Sequence, residues 1–231
     1  ELANEIVGAE AASILLLDPA TNELYFDVAI GEKGDEIKEV RLKPGEGIAG
    51  WVALEKKPLI VNNVKNDPRW TSKIDQQADF STNSILAAPL LFKGRLLGVI
   101  EVINKSDQSD FSNDDLQILQ AFSTQAAISV ETAQLFSKLK SEKEKFELIF
   151  TQMTDAAIFI DQNANIVFSN NSFKKIIPSA SGPIFSAFSD FNSKPPLEEA
   201  LAGNGRITGI ELSHKQNQIF LSGWLSKISA E

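Results

Sequence analysis

The tract from Asp114 to Met153, DDLQILQAFSTQAAISVETAQLFSKLKSEKEKFELIFTQM, contains neither Gly nor Pro. With both breakers absent, nothing local stops a helix. Ser112 stands where an N-cap belongs, and Asp114 and Asp115 fall in the first turn, where the helix dipole favours acids. At about 1.5 Å per residue the helix would reach roughly 60 Å, well beyond one small domain. Leu119, Phe122, Ala126, Ala133 and Phe136 form one apolar stripe; Ile128, Leu135 and Leu139 belong to a second. One stripe can pack on a sheet of the same chain. The other suits a second copy of the helix, so a homodimer through residues 112–150 is expected. The alternative, a plain amphipathic helix covering its own domain, leaves that length unexplained.

Strand patterns precede the helix. LANEIVGAEAA reads as helical from Glu1 onward. SILLLD (Ser13 to Asp18) and ELYFDVAI then read as a hairpin, and EIKEVRL alternates with Ile37, Val40 and Leu42 apolar. In KPGEGIAGWVALEKKPLIV, Gly45 and Gly47 make a turn, Ile48 to Leu54 a short helix, and LIV after Pro58 a strand. The polar stretch from Lys65 to Thr82 is long for a loop and fits a binding lid with small helices of its own. SILAAPLLF and RLLGVIEVI form a second hairpin, turning at Lys93-Gly94. After the long helix come a strand (AAIFID), a turn at Gln162 to Asn165, a strand (IVFSN) and a helix start at Asn170-Asn171. A Ser-, Pro- and Gly-rich tract with one short helix near Leu197 to Ala202 leads to two antiparallel strands, RITGIELSH and NQIFLSGWLSKI. The fold class is α+β. Both ends read as cut, so any effector domain is expected outside this piece.

Composition excludes several functions. The chain has 231 residues, enough for one large domain or two small ones, and a net charge of −9 with no basic block, which argues against nucleic acid as a partner. No apolar run approaches the ~18 residues of a membrane span, and no signal peptide opens the chain. A cytoplasmic setting is expected. The absence of cysteine removes disulfides, thiolate metal sites, a catalytic thiol and a thioether-anchored chromophore. The single histidine, His214, lies in SHKQNQ between two apolar runs and reads as an exposed turn residue. No nucleophile–base pair or metal cluster can be assembled, so no enzyme and no required cofactor are expected.

The informative stretch is GRLLGVIEVINKSDQSDFSNDD, Gly94 to Asp115. Glu101 is an acid inside an apolar strand, expensive unless paired or turned outward. It either lines a pocket or sits on an outer face. Lys105 and Asp115 can form an ion pair, either a ligand-responsive latch or a structural tie between strand and helix. Thr82 is a pocket hydroxyl or a turn cap. The GEGIAGW glycines lack the Gly-Lys-Ser/Thr of a P-loop; backbone N–H groups near Ile48 and Ala49 could still meet a phosphate. Trp51 and Trp70 either stack on a ring or pack in the core.

These segments carry two resemblances. Residues 1 to about 135 resemble a GAF domain through SILLLD, GEGIAGWV, PLIVNNVKNDPRW, FSTNSILAAPL, GRLLGVIEVINK and FSNDD leading into the helix. Residues 146–231 resemble a truncated PAS domain through IFIDQNANIVFSNNSF, with Asn170 and Phe173 after the second strand. The segment 112–150 between them looks like the signalling helix of bacterial sensors. The GAF resemblance implies a regulatory module with an antiparallel sheet flanked by helices. A closer resemblance is to the cyclic-nucleotide-binding GAF domains of phosphodiesterases and cyanobacterial adenylate cyclases, whose signature runs Asn-Lys, Phe, three residues, Asp-Glu. Asn104, Lys105, Phe111 and Asp115 match it, and Leu116 stands where the final Glu belongs. The resemblance implies a small-molecule site at Ser13, Val28, Ile48, Ala49, Phe80, Thr82 and Glu101, with cAMP as the ligand and Lys105–Asp115 as a structural ion pair behind it. The family's acidic contact near the second strand is replaced by Val28 and Ala29, which leaves nucleotide selectivity open. A ligand-free module for dimerisation and signal relay is the alternative.

Overall fold

A computed structural model describes residues 7–30, 39–78, 80–161, 163, 165–178, 182–184, 190–192, 206–214 and 219–226, without the side chains of residues 73, 77 and 78 or of those from 190 onward. Two compact units divide the chain, Glu1–Lys138 and Leu139–Glu231.

The first unit is built on a six-stranded antiparallel sheet. Its strands are β1 (Ala9–Asp18), β2 (Glu23–Ile30), β3 (Arg41–Leu42), β4 (Leu59–Val61), β5 (Ile85–Phe92) and β6 (Arg95–Lys105), in spatial order β3-β2-β1-β6-β5-β4. The β5–β6 hairpin turns through Lys93 and Gly94, both at positive φ (49° and 79°), which matches the right-handed twist of the strands it joins. The first strand begins earlier than SILLLD suggested. Ala9 to Ala12 pair with β6 as strand rather than continuing a helix. Alanine favours helix locally, but the ladder with β6 outweighs that preference.

Both faces of the sheet are covered, so β5 and β6 are apolar on both sides. On one face α1 (Gly47–Glu55) buries Ile48, Ala49, Val52 and Ala53 against Leu15, Leu24, Phe26, Ala87 and Val99. On the other, the long helix α3 (Asn113–Gln152) buries Leu119 and Ala127 against Leu16, Leu86, Ala88, Ile100 and Val102, with Phe111 beneath its start. Between β4 and β5 lie a 3-10 turn (Val64–Asn66) and α2 (Lys73–Ala78), small helices inside the long polar stretch.

Two glycines are fixed by close approach of backbone. A Cβ on Gly98 would lie 2.1 Å from the Leu15 carbonyl oxygen across the β1–β6 ladder, and one on Gly50 would lie 2.5 Å from the Lys43 carbonyl oxygen.

The helix α3 opens with a reciprocal cap. The Ser112 hydroxyl accepts from the Asp115 N–H (3.2 Å), and the Asp115 carboxylate accepts from the Ser112 N–H (2.7 Å). Its buried row runs by fours through Asp115, Leu119, Ser123, Ala127 and Glu131. Of the stripe Leu119, Phe122, Ala126, Ala133 and Phe136, the last two are exposed. Ser123 and Ala127 are small enough to bring the helix close to the sheet, and Arg95 of the β5–β6 hairpin pairs with Glu131 at the end of the row. Ile128 is exposed beside the row, and beyond it Leu135, Leu139, Phe146, Leu148 and Ile149 are all exposed large apolar residues.

In the second unit β7 (Ile158–Ile160) pairs with β8 (Ile166–Ser169), and α4 (Asn171–Ile176) follows. Phe150 packs on Phe159 and Phe168 at ring distances of 5.0 and 5.5 Å. Asn170 is fully buried and caps α4 by accepting the Phe173 N–H (2.9 Å), while also joining the Ala157 N–H and the Asp155 carbonyl. A three-stranded antiparallel sheet, order β11-β10-β9, is formed by β9 (Asp190–Asn192), β10 (Arg206–His214) and β11 (Ile219–Ser226). His214 ends β10 and is a strand residue; its exposure, and the short helix expected near Leu197 to Ala202, lie outside the described residues.

Gly98→Ala is expected to force β1 and β6 apart. Urea unfolding should show a loss of at least about 2 kcal/mol, since a core backbone clash ranks with the costlier overpacking changes. A midpoint within error of the parent would show that the ladder yields there without cost.

Candidate functional site

Glu101 lies in the middle of β6, paired across the ladders with Ser13 on β1 and Ala87 on β5. Directly paired residues project to the same face, and Ala87 and Val99 place that face on the α1 side. The carboxyl is buried, 5% exposed, and the Ser13 hydroxyl donates to its Oε1 at 2.8 Å. Burial pushes the Glu101 carboxyl up to about 7 from an ordinary 4.5, and the Ser13 hydrogen bond opposes this only in part. The acid singled out by its place in an apolar run is therefore inside the unit, on the face covered by α1.

The other residues of the sequence-derived set divide. Ile48 and Ala49 are buried in the first turn of α1, on the same face, and no side chain caps that turn; the Glu46 carboxylate accepts instead from the Lys43 N–H. Val28 is not brought to this group. A β-bulge between Ile14 and Leu15 shifts the β1–β2 register, so that Val28 faces Ile14 and Ala29 faces Ser13. Ile14 packs in the α3-side core and Ala29 in the α1-side core, which puts Ala29 on the Glu101 face. Trp51 and Trp70 pack beside the α1-side core. The Trp51 ring is covered by the Arg69 guanidinium, 4.6 Å from its centroid, which Asp67 holds with contacts of 2.6 and 2.8 Å.

Thr82 is 3% exposed, and both its polar groups point to one carboxylate. Its N–H donates to Asp75 Oδ2 (2.9 Å) and its hydroxyl to Asp75 Oδ1 (2.6 Å). Phe80, half-buried, donates its N–H to the Asp75 carbonyl (3.1 Å). Asp75, on α2, was not picked out from sequence. An Asp seven residues ahead of a Thr carries no pattern of its own; only the turn at the end of α2 brings them together.

Lys105 Nζ sits 2.8 Å from Asp115 Oδ2, both side chains mostly buried. Burial alone would raise the Asp115 carboxyl, but Lys105 and the Ser112 N–H and hydroxyl outweigh it and hold it below the usual range. The preceding residue, Asn104, does more than the motif implied. Its Oδ1 accepts from the Asn83 and Ser84 N–H groups (2.8 and 3.2 Å), and its Nδ2 donates to Glu10 Oε2 and the Ser81 carbonyl (2.8 and 2.9 Å). Asn62 is a further tie missed from sequence, exchanging two bonds with the Phe111 backbone (3.1 and 2.8 Å). Among the described residues no group of three His, Cys, Asp or Glu could hold a metal ion. No helix among them is long and apolar enough to cross a membrane.

The GAF domain family model matches residues 1–130. A probable 3′,5′-cyclic phosphodiesterase of Caenorhabditis elegans is 28% identical over 155 residues, which cover 63% of this chain and 21% of that protein. A dual 3′,5′-cyclic-AMP and -GMP phosphodiesterase 11A of Takifugu rubripes is 24% identical across 86% of this chain and 26% of its own length. The chain thus spans about a quarter or less of these relatives. Among solved structures, the GAF domain of a phosphoenolpyruvate-protein phosphotransferase from Coxiella burnetii superposes with a TM-score of 0.53 at 19% identity, over 58% of this chain and 79% of that one. A GAF domain/HD domain protein from Geobacter sulfurreducens gives 0.51 at 17% identity, over 58% and 88%. At such identities the superpositions speak for the fold alone. Through residues 1–130 the chain belongs to the GAF family, with homology to the GAF regions of phosphodiesterases.

Proposed function

We propose that this chain is a regulatory, non-catalytic piece of a cytoplasmic bacterial signalling protein whose GAF domain binds a cyclic nucleotide, most plausibly cAMP. The observation that carries the reading is the buried Ser13–Glu101 pair on the α1 face. A carboxyl there costs stability, and an apolar side chain would cost none. Ligand contacts at Ser13, Ile48, Ala49, Phe80, Thr82 and Glu101 would suit a purine and a phosphate, with the α1 first turn offering N–H groups to the anion. In place of Val28, Ala29 is the β2 residue that would meet the ligand. Residues 146–231 serve as a PAS-like partner domain. The helix over residues 112–150 pairs in parallel with its copy and carries the bias to an effector.

The second reading is a ligand-free module for dimerisation and relay. Two observations favour it: Ser13 already bonds Glu101 and Thr82 already bonds Asp75 within the chain, and Leu116 replaces the last acid of the nucleotide-binding signature.

Calorimetry with cAMP and cGMP separates the readings. Measured above pH 7, where the Glu101 carboxyl is ionised, binding of cAMP is expected, weakened about tenfold or more in Glu101→Gln through loss of one charged hydrogen bond. No heat and no thermal shift at millimolar nucleotide would leave the relay reading.

Glu101 also makes stability depend on pH. Folded, it holds its proton up to about 7; unfolded, it releases it near 4.5. The folded state therefore binds more protons in that interval, and stability falls as pH rises through it, levelling off above. Against Glu101→Gln, the parent should lose roughly 3 kcal/mol between the two ends of the window, as read from urea unfolding at each. Parallel profiles would mean that the carboxyl is not desolvated.

Light scattering on the full chain should give two copies, and Leu135→Glu with Leu139→Glu should give one, because a charge in each apolar layer opposes pairing. A monomeric parent would count against the paired helix.

A further inference from the structure

The chain leaves the sheet after β4 and returns at β5, and the two ends of that excursion, Asn62 to Ser84, are fastened at the two ends of the connector from β6 to α3: to Phe111, just ahead of α3, and to Asn104, the last residue but one of β6. At the leading end the Asn62 amide bonds the Phe111 N–H and carbonyl together, as a strand neighbour would. At the trailing end the Asn104 amide takes the Asn83 and Ser84 N–H groups and the Ser81 carbonyl. The Val64 N–H donates to the Asn83 carbonyl (3.0 Å), which closes the two ends on each other. Within the excursion, Asp75 on α2 holds Thr82, the residue between Ser81 and Asn83.

The connector is held just as closely on its other side. Lys105 follows Asn104 and pairs with Asp115; Ser112 follows Phe111 and caps α3 with the same Asp115. Each clasp thus lies one residue from a group of the cap.

We infer that the excursion is a lever on the start of α3: the Asn62–Phe111 and Asn104 clasps transmit the position of α2, set by the Asp75–Thr82 tie, to the Lys105–Asp115–Ser112 cap. The physical basis is directionality. Amide pairs of this kind lose their geometry within a few tenths of an ångström and a few tens of degrees, so neither clasp can hold while one side shifts and the other stays. Helix starts are also where a small change acts most, because the first turn is the costly one to form. The inference rests on the proposed function only for what would move the excursion. The link is made of bonds within the chain and holds with or without a nucleotide.

Hydrogen exchange on the full 231-residue chain, with no nucleotide in any sample, tests it. Asp75→Ala frees α2 from Thr82. The Thr82 amide should exchange faster, and the Leu116 to Leu119 amides of α3 should follow by about fivefold or more, the lower end of ordinary coupling between sites. The β1–β2 amides should not change. In an Asn62→Ala background the effect of Asp75→Ala on α3 should at least halve, because one clasp is cut. The inference is overturned if Thr82 quickens while α3 does not, if Thr82 itself does not quicken, or if the two substitutions act independently on α3. Should Asp75→Ala speed exchange everywhere, Asp75→Asn, which keeps the shape and weakens only the charge, is read by the same criteria. Failure of cAMP to bind in calorimetry would leave these outcomes unchanged.

Discussion

The first unit depends on what Asn104 does at the end of β6. Its side chain makes four hydrogen bonds, which uses both donors and both of the acceptor's lone pairs. Its backbone sits at φ 53°, a conformation that Asn tolerates better than most residues. The side chain is 93% shielded, so a loss of partners would leave amide groups stranded rather than hydrated. One residue therefore joins the start of β1, the entry to β5 and the exit from β6, and turns the chain toward α3. The Lys105–Asp115 pair is reached only because Asn104 sends the chain that way.

The sheet separates two kinds of requirement. On the α3 face the charged groups lie at the margins, the cap at one end and Arg95 with Glu131 at the other, and the Ser123 hydroxyl inside the buried row is taken up by the helix's own Gln120 carbonyl. The α1 face carries a carboxyl in its interior, held by the neutral Ser13 hydroxyl. Stability alone favours the first arrangement. A single neutral donor recovers little of what a buried carboxylate loses, which is why the Glu101 proton is held up to about 7. The two faces thus differ in kind: a desolvated carboxyl inside the α1 side, a helix cap and an ion pair at the edges of the α3 side.

What was legible in the sequence was local. The β5–β6 hairpin followed from Lys93-Gly94 between two apolar runs, the helix from its unbroken tract, and Glu101 from being the wrong residue type in its run. What was not legible depended on pairing through space. AEAA ahead of SILLLD looks helical by composition, and only the β6 ladder makes it strand. The exchange of Val28 for Ala29 on the Glu101 face comes from one bulge, and a shift of one residue reverses every side chain beyond it. Asp75 and Asn62 carry no motif because their partners are a distant Thr and a backbone. The buried row of α3 runs by fours through Ser123 and Glu131, residues that a search for apolar stripes passes over.

The far half of α3 needs a cause of its own. Past Glu131 the described side chains leave Leu135, Phe136 and Leu139 more than half exposed. The ion pairs Lys140–Glu144 and Lys143–Glu147 are solvent-exposed and contribute about 0.3–0.5 kcal/mol each. That is small beside the backbone entropy of fixing the segment, on the order of 1 kcal/mol or more per residue. Intrinsic propensity and such pairs keep an isolated helix marginal, so a helix of 40 residues draws its stability from packing at its two ends or from a partner along its length. In either case the cap at Ser112 and Asp115 governs more than one turn: it sits where the packed half begins, and whatever loosens it is felt by every residue that depends on that half to stay helical.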